Sequence, residues 1–328
     1  MPSPSDPLEQ AGGAPAPPTA TAIEGPSPDA LLPAAMARKA EEVGVAKVGL
    51  PLMKMFVLAV LAGVFISFGA VLATVATASS GTPGAPGAAP ALPFGVSRLL
   101  AGLVFSLGLV LVVVAGAELF TGNTLIVMAW ASRRVTTARV LRSWAVVYAG
   151  NLVGAVATAA FVYWSGQPLR DGGAVGRRAL EIARAKTSLP VRDAVILGIL
   201  ANVLVCLAIW LTLSARTVID KVAAIVFPIT AFVAAGFEHS IANMYFIPAG
   251  LLVKSQAPGS FWSRTGLAKG TFAHLNLQSF VIGNLLPVTA GNIIGGALLV
   301  GLVYWFVYLR DLGSGSGQAP RNVVGAAR

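Results

Sequence analysis

Two short polar stretches interrupt an otherwise apolar sequence, and their residue types could handle a proton or an anion. The octet GAELFTGN covers residues 116–123, and the octet GFEHSIAN covers residues 236–243. Both octets place glycine, glutamate, a small residue and asparagine at the same four positions. The second contains His239, the only side chain of the apolar segments whose unperturbed pKa is near neutral. Because ionisable groups within a bilayer are costly, they indicate a functional site.

Enzyme chemistry is a poor fit to these residues. An enzyme within the membrane could use Glu238 and His239, but catalytic metal sites usually need three protein ligands. The chain has only two histidines and one cysteine, Cys206, which lies in an apolar run. No Gly-x-Ser-x-Gly motif occurs in the apolar segments. The sequence therefore predicts no enzyme, no metal and no cofactor.

The composition is that of a protein that crosses a membrane several times. Of the 328 residues, 56% are hydrophobic and 11% are charged, a charged fraction well below that of soluble domains. The net charge is +10, but no basic stripe with interleaved aromatic residues accompanies it. We therefore expect the lipid bilayer as a partner and no nucleic acid.

The sequence predicts an all-α membrane protein with six transmembrane segments. The second and fifth segments are too long for one straight crossing and contain the octets, so we expect both helices to be broken. The linker 80–96 is rich in proline and glycine and should lie outside the bilayer. The six apolar segments are residues 53–79, 99–131, 143–164, 194–213, 222–253 and 280–309.

The chain reads as two related halves of three helices each. YAGNLVGA at 148–155 and TAGNIIGG at 289–296 share Gly-Asn-apolar-apolar-Gly. An odd number of spans per half makes this an inverted repeat, in which broken helices meet near the membrane midplane. Four octet side chains are expected to bond the backbone groups that the breaks release: Glu118, Asn123, Glu238 and Asn243.

Four regions are predicted along the chain. Residues 1–28 and 313–328 are expected to be disordered tails, and residues 51–312 to form the six-helix membrane domain. Residues 29–50 read as an amphipathic helix at the membrane surface. Its expected N-cap is Asp29, and its apolar face is expected to contain Leu31, Leu32, Met36 and Val43.

The basic residues give the expected orientation. An even number of spans puts both termini on one side, and the positive-inside rule favours the cytoplasmic side. A second basic group, which includes Arg184, Lys186 and Arg192, falls on the opposite side. An anionic solute would explain these charges.

Several motifs together resemble the formate/nitrite transporter family, most closely its formate-channel branch. They are GAELFTGN, YAGNLVGA, GILANVLVCLAIW, FVAAGFEHSIANM and LLPVTAGNIIGG, and the resemblance runs from about residue 29 to 312. It implies an aquaporin-like six-helix fold and a homopentamer in the bacterial inner membrane. It also implies a pore in each protomer for small monovalent anions or their acids.

The resemblance also assigns roles to individual residues. Phe105, Leu109 and Phe120 match the family's cytoplasmic constriction, and Phe232 matches the periplasmic one. His239 matches the pore histidine, which Thr121 and Asn202 would hold while they contact the solute. Lys186 matches the lysine of the outer vestibule.

The expected function is a channel or transporter for formate and similar anions, which would pass the constriction as the neutral acid with proton coupling. Nitrite or hydrosulfide remain alternatives within the same family. A neutral-solute channel of the aquaporin type is more remote, since its paired Asn-Pro-Ala boxes are absent. A scaffolding membrane protein would not need two matched broken helices.

Overall fold

A computed structural model describes residues 29–78 and 92–310. The predicted disordered tails, 1–28 and 313–328, lie outside the described residues, as does most of the predicted linker 80–96. From Leu31 onward the described residues belong to one compact unit. The predicted domain boundaries stay a prediction.

Helices form all the long elements of the described residues, which contain no β-strand. Six of the described helices are long and apolar enough to cross a membrane, which confirms the predicted all-α fold. We label the helices α1 (Pro33–Val48), α2 (Leu52–Ala76), α3 (Phe94–Ala115), α4 (Phe120–Ala131), α5 (Thr137–Trp164), α6 (Ala174–Thr187), α7 (Val191–Ser214), α8 (Val218–Ala235), α9 (Ser240–Gln256), α10 (Gly259–Thr265) and α11 (Ser279–Tyr308).

Both predicted breaks are present, one between α3 and α4 and the other between α8 and α9. Each begins at a glycine, Gly116 or Gly236, with a φ of 81°. This left-handed conformation costs glycine little but is unfavourable for other residues. Three non-helical residues follow each glycine, and the last of them, Leu119 or His239, is extended. The second helix of each pair begins at the next residue.

The first helix starts later than the sequence indicated. Its N-cap is Leu32 and its first residue is Pro33, so the expected cap Asp29 was wrong. Proline is well suited to the first helical position because its fixed φ matches the helix and its missing N–H has no partner there. Leu32 and Val43, both expected on the apolar face, are exposed, Leu32 at 76% and Val43 at 37%. Small residues dominate the buried face instead: Met36, Ala37, Ala40, Gly44 and Val48.

The glycines of the repeated motif let pairs of helices approach closely. A Cβ on Gly154 of α5 would lie 2.1 Å from the carbonyl oxygen of Val60 in α2. The repeat equivalent, Gly295 of α11, would place a Cβ 2.2 Å from the carbonyl oxygen of Ile199 in α7. Close helix packing therefore requires glycine at the last position of each Gly-Asn-apolar-apolar-Gly motif.

We expect Gly154→Ala to lower the thermal stability of the detergent-solubilised protein. The new methyl group would have to push α2 and α5 apart, and such overpacking costs about 1–3 kcal/mol. Thermal unfolding followed by size-exclusion chromatography measures the effect. Gly95→Ala is the matched control, since a Cβ there meets nothing within 4 Å. Equal melting temperatures for the two variants would contradict the packing role.

Candidate functional site

The two breaks meet through a hydrogen bond between a threonine and a histidine. Thr121 Oγ1 lies 2.9 Å from His239 Nε2. Both side chains are buried, with Thr121 at the start of α4 and His239 immediately before α9. The two octets, 120 residues apart in sequence, thus converge at one point inside the protein.

The other ring nitrogen of His239 caps a helix. Nδ1 accepts a hydrogen bond from the backbone N–H of Ala242 at 3.1 Å, which makes His239 the N-cap of α9. An accepting nitrogen carries no proton, so the hydrogen of the neutral ring is on Nε2. Nε2 therefore donates to the hydroxyl oxygen of Thr121, which still has its own proton to donate.

Asn202 hydrogen-bonds to the backbone oxygen of Thr121. It was expected to hold the imidazole, but its hydrogen bonds go to other groups. Its side-chain Nδ2 is 2.6 Å from the carbonyl oxygen of Asn292 and 3.3 Å from that of Thr121. The hydroxyl of Thr124 is a third neighbour, at 3.2 Å. Asn202 therefore links a backbone oxygen next to the first break with one in α11, in the other half of the chain.

A single asparagine side chain bonds the backbone at the first break. Asn151 of α5 accepts a hydrogen bond from the N–H of Phe120 at 2.9 Å. Its Nδ2 donates to the carbonyl oxygens of Glu118 at 2.9 Å and Ala59 at 2.7 Å. The N–H of Glu118 donates to the carbonyl oxygen of Leu58.

The second break repeats this arrangement with Asn292 of α11. Its Oδ1 accepts from the N–H of Ser240 at 2.9 Å, and its Nδ2 donates to the carbonyl oxygens of Glu238 at 3.0 Å and Gly198 at 2.7 Å. An amide can do this because it has both an acceptor and two donor hydrogens. The asparagines of the two repeated motifs, to which the sequence assigned no role, therefore satisfy the breaks.

The glutamate and asparagine side chains of the octets were expected to bond the freed backbone groups, but they bond other side chains instead. Glu118 accepts from Lys47 at 2.8 Å through one oxygen and from Asn123 Nδ2 at 2.7 Å through the other. A buried carboxylate has no hydrogen to donate and is stable only when it is paired with a cation and hydrogen-bonded. Its lone pairs are thus occupied by side chains, and the freed backbone groups bond elsewhere.

The second octet forms the same triad. Glu238 accepts from Lys186 at 2.8 Å and from Asn243 Nδ2 at 2.6 Å. Asn284 adds a second amide, which accepts from Asn243 and donates to the backbone oxygen of Lys186. Glu238 is the less exposed of the two glutamates, with 6% of its side chain accessible against 9% for Glu118.

Lys47 is a site residue that the sequence reasoning missed. It lies near the end of α1, and Lys186 lies near the end of α6. A signal was present, because AKVGLPL at residues 46–52 matches AKTSLPV at residues 185–191 in four of seven positions. Each half of the repeat therefore begins with a short helix before its three spans, and that helix supplies the lysine of the triad.

A vestibule of about 820 Å³ opens onto the histidine from the side of α6. His239, Phe105, Phe232 and Phe246 are among the residues that line it. The rings of Phe105 and Phe232 meet edge to face, with centroids 5.8 Å apart.

Phe105 was expected beside Phe120 in the cytoplasmic constriction, but its ring packs against Phe232. It lies 11 residues before Gly116, about three helical turns, which brings it level with the second break.

The vestibule has more basic than acidic side chains. Its lining includes Arg98, Arg177, Arg178 and Lys186 against Glu181 and Glu238. The ammonium group of Lys186, which pairs with Glu238, also lies 5.5 Å from the centroid of the Phe246 ring. A cleft lined by charge of one sign concentrates counter-ions from solution.

Beyond His239 the candidate pathway is closed by packed side chains. Leu109, Phe120 and Thr121 are buried, and none of them lines the vestibule. The ring of Phe120 packs against Tyr148 and Trp144, with centroids 4.9 Å and 6.1 Å apart. A solute in the vestibule would have to displace these groups to cross.

Within the part of the chain that the structure describes, six membrane-length helices, two breaks that meet at Thr121 and His239, and a basic vestibule define a membrane channel or transporter. The chain belongs to the formate/nitrite transporter family, whose model matches residues 34–306.

The chain aligns with related proteins over nearly their whole length. The chain is 48% identical over 283 residues to the formate channel FocA of Escherichia coli K12, which covers 86% of this chain and 96% of that protein. It is 36% identical over 293 residues to a probable formate transporter of Methanothermobacter thermautotrophicus, covering 85% and 97%. A solved pentameric formate channel with formate bound superposes with a TM-score of 0.70 at 42% identity, covering 79% of this chain and 98% of that chain.

Proposed function

We propose that this protein is a channel for formate and similar small monovalent anions, which cross the constriction as the neutral acid. The observation that carries the proposal is the buried contact between Thr121 and His239 at the inner end of a basic vestibule. The relatives named as formate channels support the choice of solute. The site residues act by binding and positioning the solute, and the proposal includes no catalysis.

Desolvation explains why the acid form crosses. An unpaired anion between the rings of Phe105 and Phe232 would lose most of its hydration, at a cost of several kcal/mol even after relaxation. A carboxylic acid with a pKa near 4 costs about 4 kcal/mol to protonate at pH 7. The neutral acid then faces only the smaller penalty of burying a polar group. Protonation is therefore the cheaper route unless the rings separate widely.

The vestibule and the histidine have different roles in transport. Lys186 and the neighbouring arginines raise the local concentration of the anion. His239 and Thr121 offer hydrogen bonds to the solute at the point where it has left water. A second proton on the ring would have to go on Nδ1 and would break the cap of α9. The ring therefore carries a second proton only transiently, and it passes that proton on to the anion at the constriction.

We propose a homopentamer in the bacterial inner membrane with both termini in the cytoplasm. The pentamer follows the solved relative. In this orientation α1 and Lys47 lie on the cytoplasmic side, whereas α6 and the vestibule face the periplasm. The distribution of basic loops favours this arrangement.

Uptake of formate into proteoliposomes tests the function directly. Purified protein should accelerate the uptake of radiolabelled formate, and an inward proton gradient should accelerate it further. Empty liposomes provide the baseline. Uptake indistinguishable from that baseline under both conditions would refute the proposal.

The same vesicles decide between solutes. Nitrite, hydrosulfide, acetate and lactate can be assayed in parallel, with glycerol as the neutral solute. We expect formate to pass fastest and glycerol not at all. Faster nitrite or hydrosulfide flux would assign the protein to another function within the family, and glycerol flux would favour the aquaporin-like alternative.

A further inference from the structure

Arg98 joins the beginning of α3 to the end of α8. Its Nε donates to the carbonyl oxygen of Ala234 at 3.0 Å, and its Nη2 donates to that of Val233 at 2.7 Å. These carbonyls belong to the last turn of α8, just before Gly236. The last carbonyls of a helix lack intrahelical partners, and a cation is favourable at that end of the helix dipole. Arg98 thus caps α8 at the second break.

Two further contacts lie on the same face of α3. Arg98, Gly102 and Phe105 are spaced at i, i+4 and i+7, which places them on one face of the helix. A Cβ on Gly102 would lie 2.6 Å from the carbonyl oxygen of Thr230, so α3 and α8 are in backbone contact there. Phe105 meets Phe232 at the end of this stripe. The hydrogen bonds of Arg98, the contact at Gly102 and the ring pair therefore act on one interface.

The first break lacks the corresponding residue. A shift of 120 residues relates the two octets, and it places Val218 at the position equivalent to Arg98. A valine side chain cannot donate a hydrogen bond to the end of α3. The arginine is therefore not part of the repeated framework, and it belongs to the side that carries the vestibule and the ring pair.

We infer that Arg98 is a positioning residue that fixes the separation of Phe105 and Phe232 and so sets the size of the largest acid that can pass. The inference rests on the proposed function, because it assumes that the solute crosses between these rings. In this role Arg98 holds the end of α8 in place, in addition to attracting anions through its charge. Removing its two hydrogen bonds frees the end of α8 and with it the ring of Phe232.

A second vestibule arginine provides the matched control. Arg177 lines the same cavity, but its Nη2 donates to the carbonyl oxygen of Thr265 at 2.6 Å, at the end of α10. Arg98→Gln and Arg177→Gln therefore remove the same charge from one vestibule. Only the first also removes contacts to α8.

The test compares lactate and formate flux in proteoliposomes. For Arg98→Gln we expect the lactate-to-formate ratio to rise about fivefold or more, because the variant loses both charged hydrogen bonds to the end of α8. For Arg177→Gln the ratio should change by less than about twofold. Gly102→Ala, which separates the same helices without a change of charge, should raise the ratio as well. An unchanged ratio in Arg98→Gln, with formate flux reduced equally in both glutamine variants, would overturn the inference.

Two measurements keep the test independent of folding and of the solute. If Arg98→Gln does not assemble, Arg98→Lys keeps the charge with a single donor group, and it should shift the ratio in the same direction by a smaller factor. A wild-type ratio in Arg98→Lys would then overturn the inference. Amide hydrogen exchange of residues 230–237 should be faster in Arg98→Gln than in Arg177→Gln. Equal exchange would exclude the positioning role, even if the wild-type protein carried no formate.

Discussion

Replacement of Asn292 by alanine is expected to prevent assembly of a stable protein. The substitution leaves the N–H of Ser240 and the carbonyl oxygen of Glu238 without their partner inside the protein, and it removes an additional hydrogen bond to the carbonyl oxygen of Gly198 in α7. Each unsatisfied buried group costs about 1–3 kcal/mol. The sum is a large part of the free energy of unfolding of an ordinary domain, about 5–15 kcal/mol. Size-exclusion chromatography of solubilised membranes should show aggregated or degraded protein.

Two companion variants test the explanation. Asn151→Ala removes the equivalent three bonds at the first break and should have an equally severe effect. Ser143→Ala alters a fully buried polar side chain of the same helix whose hydroxyl has no hydrogen-bond partner in the structure. Its effect on stability should be small. A folded, active Asn292→Ala protein would show that water or a shifted backbone can satisfy the break.

His239→Asn is expected to uncouple formate flux from the proton gradient. Asparagine is a good N-cap residue, so its side chain can replace Nδ1 in accepting from Ala242 and α9 can keep its first turn. It cannot carry a proton, and it is too short to reproduce the 2.9 Å contact with Thr121. Formate uptake down a concentration gradient should stay within about tenfold of wild type. The acceleration by an inward proton gradient should disappear.

The controls separate the ring from the cap. His239→Leu loses both the ring contact and the cap, which alone costs about 1 kcal/mol, and its uptake should fall further than that of His239→Asn. His274→Asn alters the only other histidine, an exposed residue, and should behave as wild type. If His239→Asn and wild type respond equally to a pH jump, the imidazole has no part in proton coupling.

The architecture could be predicted from the sequence because the burial of long apolar stretches in the bilayer determines it. Six spans follow from hydropathy and bilayer thickness, and the two breaks follow from polar octets that no continuous membrane helix would favour. The meeting of Thr121 with His239 was expected from the repeat and the family resemblance together. These features depend on composition and spacing more than on the details of packing.

The sequence could not predict which groups form hydrogen bonds with one another. Which donor satisfies Glu118 depends on how α1 docks, and neither hydropathy nor spacing determines that docking. Asn151 and Glu118 are equally plausible on chemical grounds as partners for a free backbone group, and only the geometry assigns that task to the amide. The position of Phe105 was misjudged because the level of a ring along a pore depends on where neighbouring helices begin. The match between AKVGLPL and AKTSLPV was the one overlooked signal that would have identified Lys47.

The equivalence of α1 and α6 has a consequence for biosynthesis. Because each half opens with a lysine-bearing helix and the halves are inverted, basic residues are required on both faces of the bilayer. In the proposed orientation, Lys186 and the arginines of α6 must be translocated across the membrane, against the bias that normally retains positive charge in the cytoplasm. Charge alone therefore cannot orient the second half during insertion. Its direction must be imposed by the three spans already threaded before it, so the order of synthesis contributes to the final topology.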